Sequence, residues 1–535
     1  MQFGPQKLKD GRFAFNFWAP DSSEVSLFLP KTGETMVMRP LKDGWHTVVT
    51  DRVIRGTEYL FQLENGFKVP DPASARQADT VHGPSVLIDH DVYDWRGDSE
   101  WKGRPWEEAV IYELHVGTFS EEGTFKGVQK QLDQLVDLGI TAIELMPVGS
   151  FPGSRNWGYD GVLLFAPANT YGEEDDLKDL IRAAHEKGIM VFLDVVYNHF
   201  GPEGNYFYVY AKSRFFETGK KTPWGDALNF NDENVRNFFI QNALFWLETY
   251  RFDGLRFDAV HAIEDENSPH ILEELVTTVR KKISQRHIHL VLENDGNLSR
   301  WLHSDSGGPL YDAQWNDDFH HTMHILMTGE TRGYYMDYTK EATGRDTYYY
   351  SAKCFSEGFG YQGEVSPYRN GQRRGEPSSD LLPAKFVNFI QNHDQIGNRA
   401  LGERVSTLTS QKALQTAAAS YLLAPSIPLI FMGEEWGSKV PFYFFCDLGP
   451  DLTESIREGR RKEFSEFPEF SDKKKRDRIP DPTDKETFLQ SKPDWDTRQK
   501  KGHRDFLDLY KKLLTVRREK ILPLITRISP GKTKS

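Results

Sequence analysis

From Trp106 to Met432 the sequence alternates short apolar runs with amphipathic stretches at helical spacing, and this alternation constrains the fold more than any other feature. The residues Val110-Ile111-Tyr112-Glu113-Leu114-His115-Val116 read as a first strand, and Ile140 to Val148 as a second. Between them, Val128, Leu132, Leu135 and Val136 recur at helical spacing in 126–138. A helix over 175–187 ends at Gly188, and 189–196 is a third strand. A helix over 234–250, a strand over 254–260, a helix over 268–284 and a strand over 287–293 continue the series. Late strands fall at 385–390 and 427–432, and the sixth must lie between 295 and 384. About eight such units between residues 96 and 450 predict an α/β fold, a (βα)8 TIM barrel.

Residues 1–95 follow a different rule. Phe13 to Trp18, Val25 to Leu29 and Tyr59 to Leu63 are short strands closed by turn residues, a pattern that predicts an N-terminal β-sandwich. Residues 200–231 interrupt the barrel series with a Gly-, Pro- and Tyr-rich insertion. Residues 451–535 are predicted to hold a charged, loop-like stretch (447–502 in its widest reading), a final helix over 506–518 and a disordered tail at 531–535.

Composition removes several functional classes. A net charge of −13, from 66 basic and 79 acidic residues, argues against a nucleic-acid binder. No run approaches the ~20 apolar residues that span a bilayer. The start, Met1-Gln2-Phe3-Gly4-Pro5, lacks the pattern of a secretory signal, and the two cysteines, Cys354 and Cys446, read as reduced thiols. Together these predict a cytoplasmic protein without a membrane partner.

Barrel proteins carry reactive groups at the C-terminal ends of their strands. Arg256 and Asp258 lie two apart at the end of the fourth strand and so share a face, where the guanidinium favours an ionised carboxylate. Glu293 closes the apolar run His289-Leu290-Val291-Leu292, a setting that raises a carboxyl pKa and suits a general acid. His393-Asp394 ends the late strand, Asp194-Val195-Val196-Tyr197-Asn198-His199 ends the third, and Trp157-Gly158-Tyr159-Asp160 follows the second. Two carboxyls beside a charge-stabilising cluster are what cleavage of a glycosidic bond requires, at ~5–5.5 Å for retention or ~6.5–9.5 Å for inversion. A cation held by Asp194, Asn198, His199 and His261 is the rival reading, although no tight ligand spacing such as HExxH occurs. His320, His321 and His324 fall on one predicted helix as substrate contacts or structural residues.

These motifs resemble the α-amylase superfamily, glycoside hydrolase family 13, in the segments Asp194–His199, Gly254–Asp258, Glu293 and Asn392-His393-Asp394. The resemblance implies that Asp258 is the nucleophile, Glu293 the acid/base and Asp394 the transition-state stabiliser. It implies that Arg256, His199 and His393 contact the sugar, that Tyr159 stacks beneath it, and that neither cofactor nor metal is needed. Within the superfamily, Tyr112 to Phe119 is similar to branching enzymes and to enzymes that release trehalose from maltooligosyl trehalose. The segments 312–321, 329–335 and 390–399 favour the second group. On that resemblance His261, Asp317, Asp318, Phe319, His320, His321, Gln395, Asn398 and Arg399 join the substrate contacts. A synthase that makes the maltooligosyl trehalose is the implied metabolic partner. Two departures are visible: Leu292 precedes Glu293 where the family usually has a small residue, and the family's C-terminal β-domain reads as truncated or missing.

Overall fold

Eight parallel strands close into a barrel in the computed structural model, which describes residues 1–222, 224–303, 311–465 and 468–528. We label them β1 (Ile111–Leu114), β2 (Ala142–Leu145), β3 (Met190–Val195), β4 (Gly254–Phe257), β5 (His289–Leu292), β6 (Ala313–Trp315), β7 (Phe386–Asn388) and β8 (Ile427–Phe431). The ring closes where Ile111 pairs with Leu429. The sixth strand, placed only loosely by sequence, is the three-residue β6; so short a run carries no detectable period.

The period-two pleat decides what enters the barrel. Ile111, Ala142, Met190, Phe192, Val291, Trp315, Val387 and Leu429 form one apolar cluster inside it. The intervening residues Tyr112, Ile143, Leu193, Leu255, Leu290 and Leu292 belong to the larger core shared with the surrounding helices. Leu292, which stands where the family usually has a small residue, therefore points away from the barrel interior and the site. Gly254 has a packing reason: a Cβ there would lie 2.5 Å from the His289 carbonyl and 2.8 Å from the Phe192 ring. One step further along the inward face come Glu113, Glu144, Asp194, Arg256 and Glu293. The apolar barrel interior thus ends in a polar floor.

The first residues form two antiparallel sheets. Phe13–Trp18 is central in one and Glu58–Leu63 in the other. Phe17 stacks on Phe61 at 4.2 Å and Phe15 meets Tyr59 edge-on at 4.9 Å, so aromatic rings fill the space between the sheets. Phe3 packs on Phe238 at 5.1 Å, and the Trp45 indole donates to Asn234 Oδ1 at 2.9 Å, which seats this module on the helix Glu233–Leu244.

The insertion at 200–231 holds two short helices and a hairpin, Phe216–Thr222 with Gly225–Leu228. Residues 447–502 are not the loop their composition predicts: the helix Pro450–Glu463 starts on a proline and is followed by shorter helical turns. Its charges obscure the period, while pairs Arg457–Glu454 at 2.7 Å and Arg460–Glu463 at 3.0 Å support it. Arg460 also donates to the Gly397 carbonyl at 2.6 Å. The last long helix, Lys501–Val516, is tied to the barrel by Tyr510, which donates to Glu434 Oε1 at 3.0 Å. Among the described residues no strand follows β8, and no helix is long and apolar enough to cross a membrane. The tail at 531–535 lies outside the described residues.

Phe17 is 1% exposed at the centre of the sandwich. Phe17→Ala is expected to destabilise the protein by about 3–5 kcal/mol through the cavity it leaves. The shift of a chemical-denaturation midpoint at unchanged slope checks this.

Candidate active site

Arg256 organises the cluster. Its side chain is fully buried, and its Nη1 donates to Asp194 Oδ2 at 2.7 Å and to Asp258 Oδ1 at 2.8 Å. Its Nη2 lies 3.7 Å from Glu293 Oε2, and its plane sits 4.2 Å over the Trp315 ring. The β3–β4 pairing sets Asp194 opposite Arg256, so strand register alone makes the first contact. Asp258 also accepts from Asn198 Nδ2 at 3.0 Å, which fixes its second oxygen.

The chain turns sharply after Asp258. Ala259 takes φ +41°, a left-handed conformation that costs a non-glycine residue about 1–3 kcal/mol. The turn aims the Ala259 N–H at Glu293 Oε2, 2.5 Å away. Burial raises the Glu293 pKa well above the usual range; Arg256 opposes this, while the charges of Asp258, Asp317 and Asp394 add to it. The Glu293 carboxyl is therefore biased towards keeping its proton beside Asp258.

Asp394 stands in the first turn of the helix His393–Gly397, capped by Asn392, with its side chain 40% exposed to the cleft. Asn398 donates to its Oδ1 at 3.0 Å. Burial opposes a charge on His393, but Asp394 and Glu113 push its pKa up to about 9. Its Nδ1 pairs with Glu113 Oε1, its backbone N–H donates to Glu113 Oε2 at 3.1 Å, and its Nε2 meets the Tyr159 hydroxyl at 2.7 Å. Tyr159 donates to Asp194 Oδ2 at 2.6 Å and stacks on His393 at 5.2 Å. Burial raises the Asp194 pKa to about 6 even though Arg256 opposes it.

His199 joins this group through Nε2 on the Tyr159 carbonyl at 3.0 Å, whereas His261 accepts from the Asp295 N–H at 3.3 Å at the edge. The helix Asp317–Thr328 divides its candidates. Asp317 and His321, one turn apart, share a face. Burial, with the Asp295 charge, raises the Asp317 carboxyl to about 7. Asp318, Phe319 and His320 lie on the other faces of the helix and are 0%, 0% and 1% exposed. Asp318 is filled by Arg374 at 2.5 Å, the Tyr338 hydroxyl at 2.5 Å, the Tyr361 N–H at 2.8 Å and Asn297 at 2.8 Å. Phe319 is core, and His320 Nδ1 serves the Ile390 carbonyl at 2.9 Å. A residue-by-residue reading of a helical motif assigns both faces to the cleft; the 100° step per residue allows only one.

Gln395 is half-buried with an unpartnered Oε1, Asn398 is exposed, and the Arg399 fork is occupied by Glu330 at 2.7 and 3.0 Å. Two groups escaped the sequence reading. Trp224, from the inserted hairpin, stacks on His199 at 5.0 Å and 15°, and nothing in its Gly- and Pro-rich surroundings marks it. Glu113 was legible only as a charge inside an apolar strand. Among the described residues no three His, Cys, Asp or Glu side chains are arranged to hold a metal ion.

The α-amylase catalytic-domain model matches residues 95–226 and 220–524, and the carbohydrate-binding module 48 model, described as the isoamylase N-terminal domain, matches 2–77. The chain belongs to the α-amylase family, glycoside hydrolase family 13. It is a glycosidase by that membership. It is 41% identical to the malto-oligosyltrehalose trehalohydrolase of Saccharolobus solfataricus over 97% of this chain and 87% of that protein. It is 39% identical to the enzyme of the same name from Deinococcus radiodurans, over 94% and 81%. A solved Salmonella typhimurium structure placed among the α-amylases superposes with a TM-score of 0.93 at 43% identity, covering 98% of this chain and 87% of that one.

Arg256 is the bridge that only a fork-shaped cation can make. Arg256→Lys is expected to lower kcat/KM by at least about 10²-fold while the protein still folds, as loss of a preorganised charge contact does. Steady-state kinetics beside a thermal unfolding curve measure this.

Proposed function

We propose that the protein hydrolyses the α-1,4-glucosidic bond next to the terminal trehalose of maltooligosyl trehalose, releasing trehalose with retention at the anomeric carbon. The observation that carries the chemistry is the pairing of two unlike carboxyls. Asp258 is held by Arg256 and Asn198, and Glu293 is buried beside it with its pKa raised by that burial. The substrate reading is supported by the relatives, whose names specify it and of whose length this chain covers 87% and 81%.

In the first step an Asp258 oxygen bonds to the anomeric carbon as the glycosidic C–O bond breaks, and the Glu293 proton passes to the departing trehalose oxygen. In the second, Glu293 takes a proton from water, the water oxygen bonds to the same carbon, and Asp258 leaves. Asp394 stabilises the oxocarbenium-like positive charge that develops in the transition state of each step. Tyr159 and the His393 ring form the platform below the sugar, with Arg256 and His199 at its edge. Asp317 and His321, on the cleft face of their helix, and His261, Gln395, Asn398 and Arg399 at the rim, complete the contacts we assign to substrate. We assign the protein a synthase of maltooligosyl trehalose as its metabolic partner and the cytoplasm as its location; its two free, buried cysteines suit a reducing compartment.

Incubation with maltooligosyl trehalose is expected to yield trehalose and a shortened maltooligosaccharide, with much slower cleavage of a maltooligosaccharide of equal length. Absence of free trehalose overturns the substrate; glucan transfer to a sugar acceptor would indicate a branching transferase. Asp258→Asn is expected to abolish the covalent intermediate, and Glu293→Gln to lower kcat by about 10²–10⁴-fold with binding retained.

The pH profile of kcat/KM follows from two signs. Glu293 acts as an acid only while protonated, so activity is lost as pH rises through its raised pKa. Asp194 holds Arg256 only while ionised, so activity is lost as pH falls through about 6. A bell is expected, and Glu293→Gln removes its alkaline limb.

A further inference from the structure

Glu144 has no task in the mechanism above, yet it stands in the polar floor beneath the site. It is 1% exposed, and neither carboxyl oxygen has a hydrogen-bond partner among the described residues. Its neighbours are fixed by register. On β1 it pairs with Glu113, and on β3 with Phe192, one inward position below Asp194. The charged groups that bear on it are Glu113, Asp194, Arg256 and His393.

Arg256 hydrogen-bonds Asp194 and Asp258 through Nη1 alone and lies 3.7 Å from Glu293, and His393 serves Glu113 and Asp394. Neither cation donates to Glu144, whose two oxygens have no partner among the described residues, so an ionised Glu144 would be a buried charge between two carboxylates without a bonded cation. Such a charge costs far more than keeping a proton. Burial first, and then the charges of Glu113 and Asp194, raise its pKa well above the usual range.

The same layer holds one unused acceptor. Asp194 Oδ2 takes the Arg256 and Tyr159 donors, but Asp194 Oδ1 is buried and without a partner among the described residues. We propose that Glu144 is a positioning residue that stays protonated and donates to Asp194 Oδ1, directly or through one enclosed water, so that Asp194 keeps its charge and its hold on Arg256 and Tyr159. The inference rests on the catalytic reading of this site but not on the identity of the substrate.

The groups facing Asp194 are Arg256, Asp258, His393, Tyr159 and Glu144. Removing the Glu144 donor from this set lets Asp194 take up a proton at higher pH. Glu144→Leu is therefore expected to move the acid limb of kcat/KM up by about one pH unit and to lower kcat about tenfold at neutral pH. Glu144→Gln, whose amide can donate to the same oxygen, is expected to rescue both. The infrared difference between wild type and Glu144→Gln at neutral pH is expected to contain a protonated-carboxyl stretch.

A folded Glu144→Leu with an unmoved acid limb overturns the proposal. So does a Gln variant that shifts as far as the Leu variant, or a difference spectrum without the protonated-carboxyl band. If the Leu variant does not fold, the Gln profile and the infrared band decide. A wild-type protein inactive on maltooligosyl trehalose would defeat the functional reading alone, because the infrared result needs no substrate.

Discussion

The structure of the site depends on one buried guanidinium. Arg256 is fully enclosed and contacts three carboxyls and one indole face. A cation so deeply buried is tolerable only with anions at its edge, and those anions are tolerable only with the cation between them. The bond to Asp194 links β3 to β4, the bond to Asp258 fixes the strand end, and the approach to Glu293 reaches β5. Trp315 beneath it adds β6. One side chain thus couples four consecutive strands to the geometry of the cleft.

The asymmetry between the two reacting carboxyls comes from how they meet this cation. Asp258 is bonded by Arg256 and Asn198, whereas Glu293 lies farther from Arg256 and takes its direct hydrogen bond from the Ala259 amide. That amide is available because Ala259 accepts a left-handed turn. Backbone strain at one residue therefore gives Glu293 a backbone partner that Asp258 lacks, although both lie within reach of the same arginine. The outer elements are tied to the barrel: the sandwich seats on Glu233–Leu244, and Tyr510 of the helix Lys501–Val516 bonds to Glu434 just beyond β8.

Much of this was legible in the chain. The βα alternation carries the barrel because a strand covered on both faces must be apolar throughout, and polar residues ending such runs stand out, as Asp194, Asp258 and Glu293 do. Glu113 and Glu144 are also charges within apolar strands, but neither was singled out, because their meaning depends on charges brought from other strands. Where periodicity fails, reading failed. The helix Pro450–Glu463 hides under charges at nearly every position, and β6 is too short to show a period. Trp224 gives no local signal because its role is made by a hairpin folding back on His199.

The sequence by itself determined the barrel, the N-terminal sandwich and the strand-end carboxyls, because hydrophobic periodicity and strand polarity are local properties of the chain. Only the tertiary structure decided which residues of a contiguous motif reach the cleft. It placed Asp317 beside Glu293 and sealed Asp318, Phe319 and His320 inside, and it turned Leu292 outward. It also decided where the charges sit, since protonation in the floor of the barrel depends on how few cations are shared among many acids. That ratio is set by strand register and burial, and no local stretch of sequence contains it.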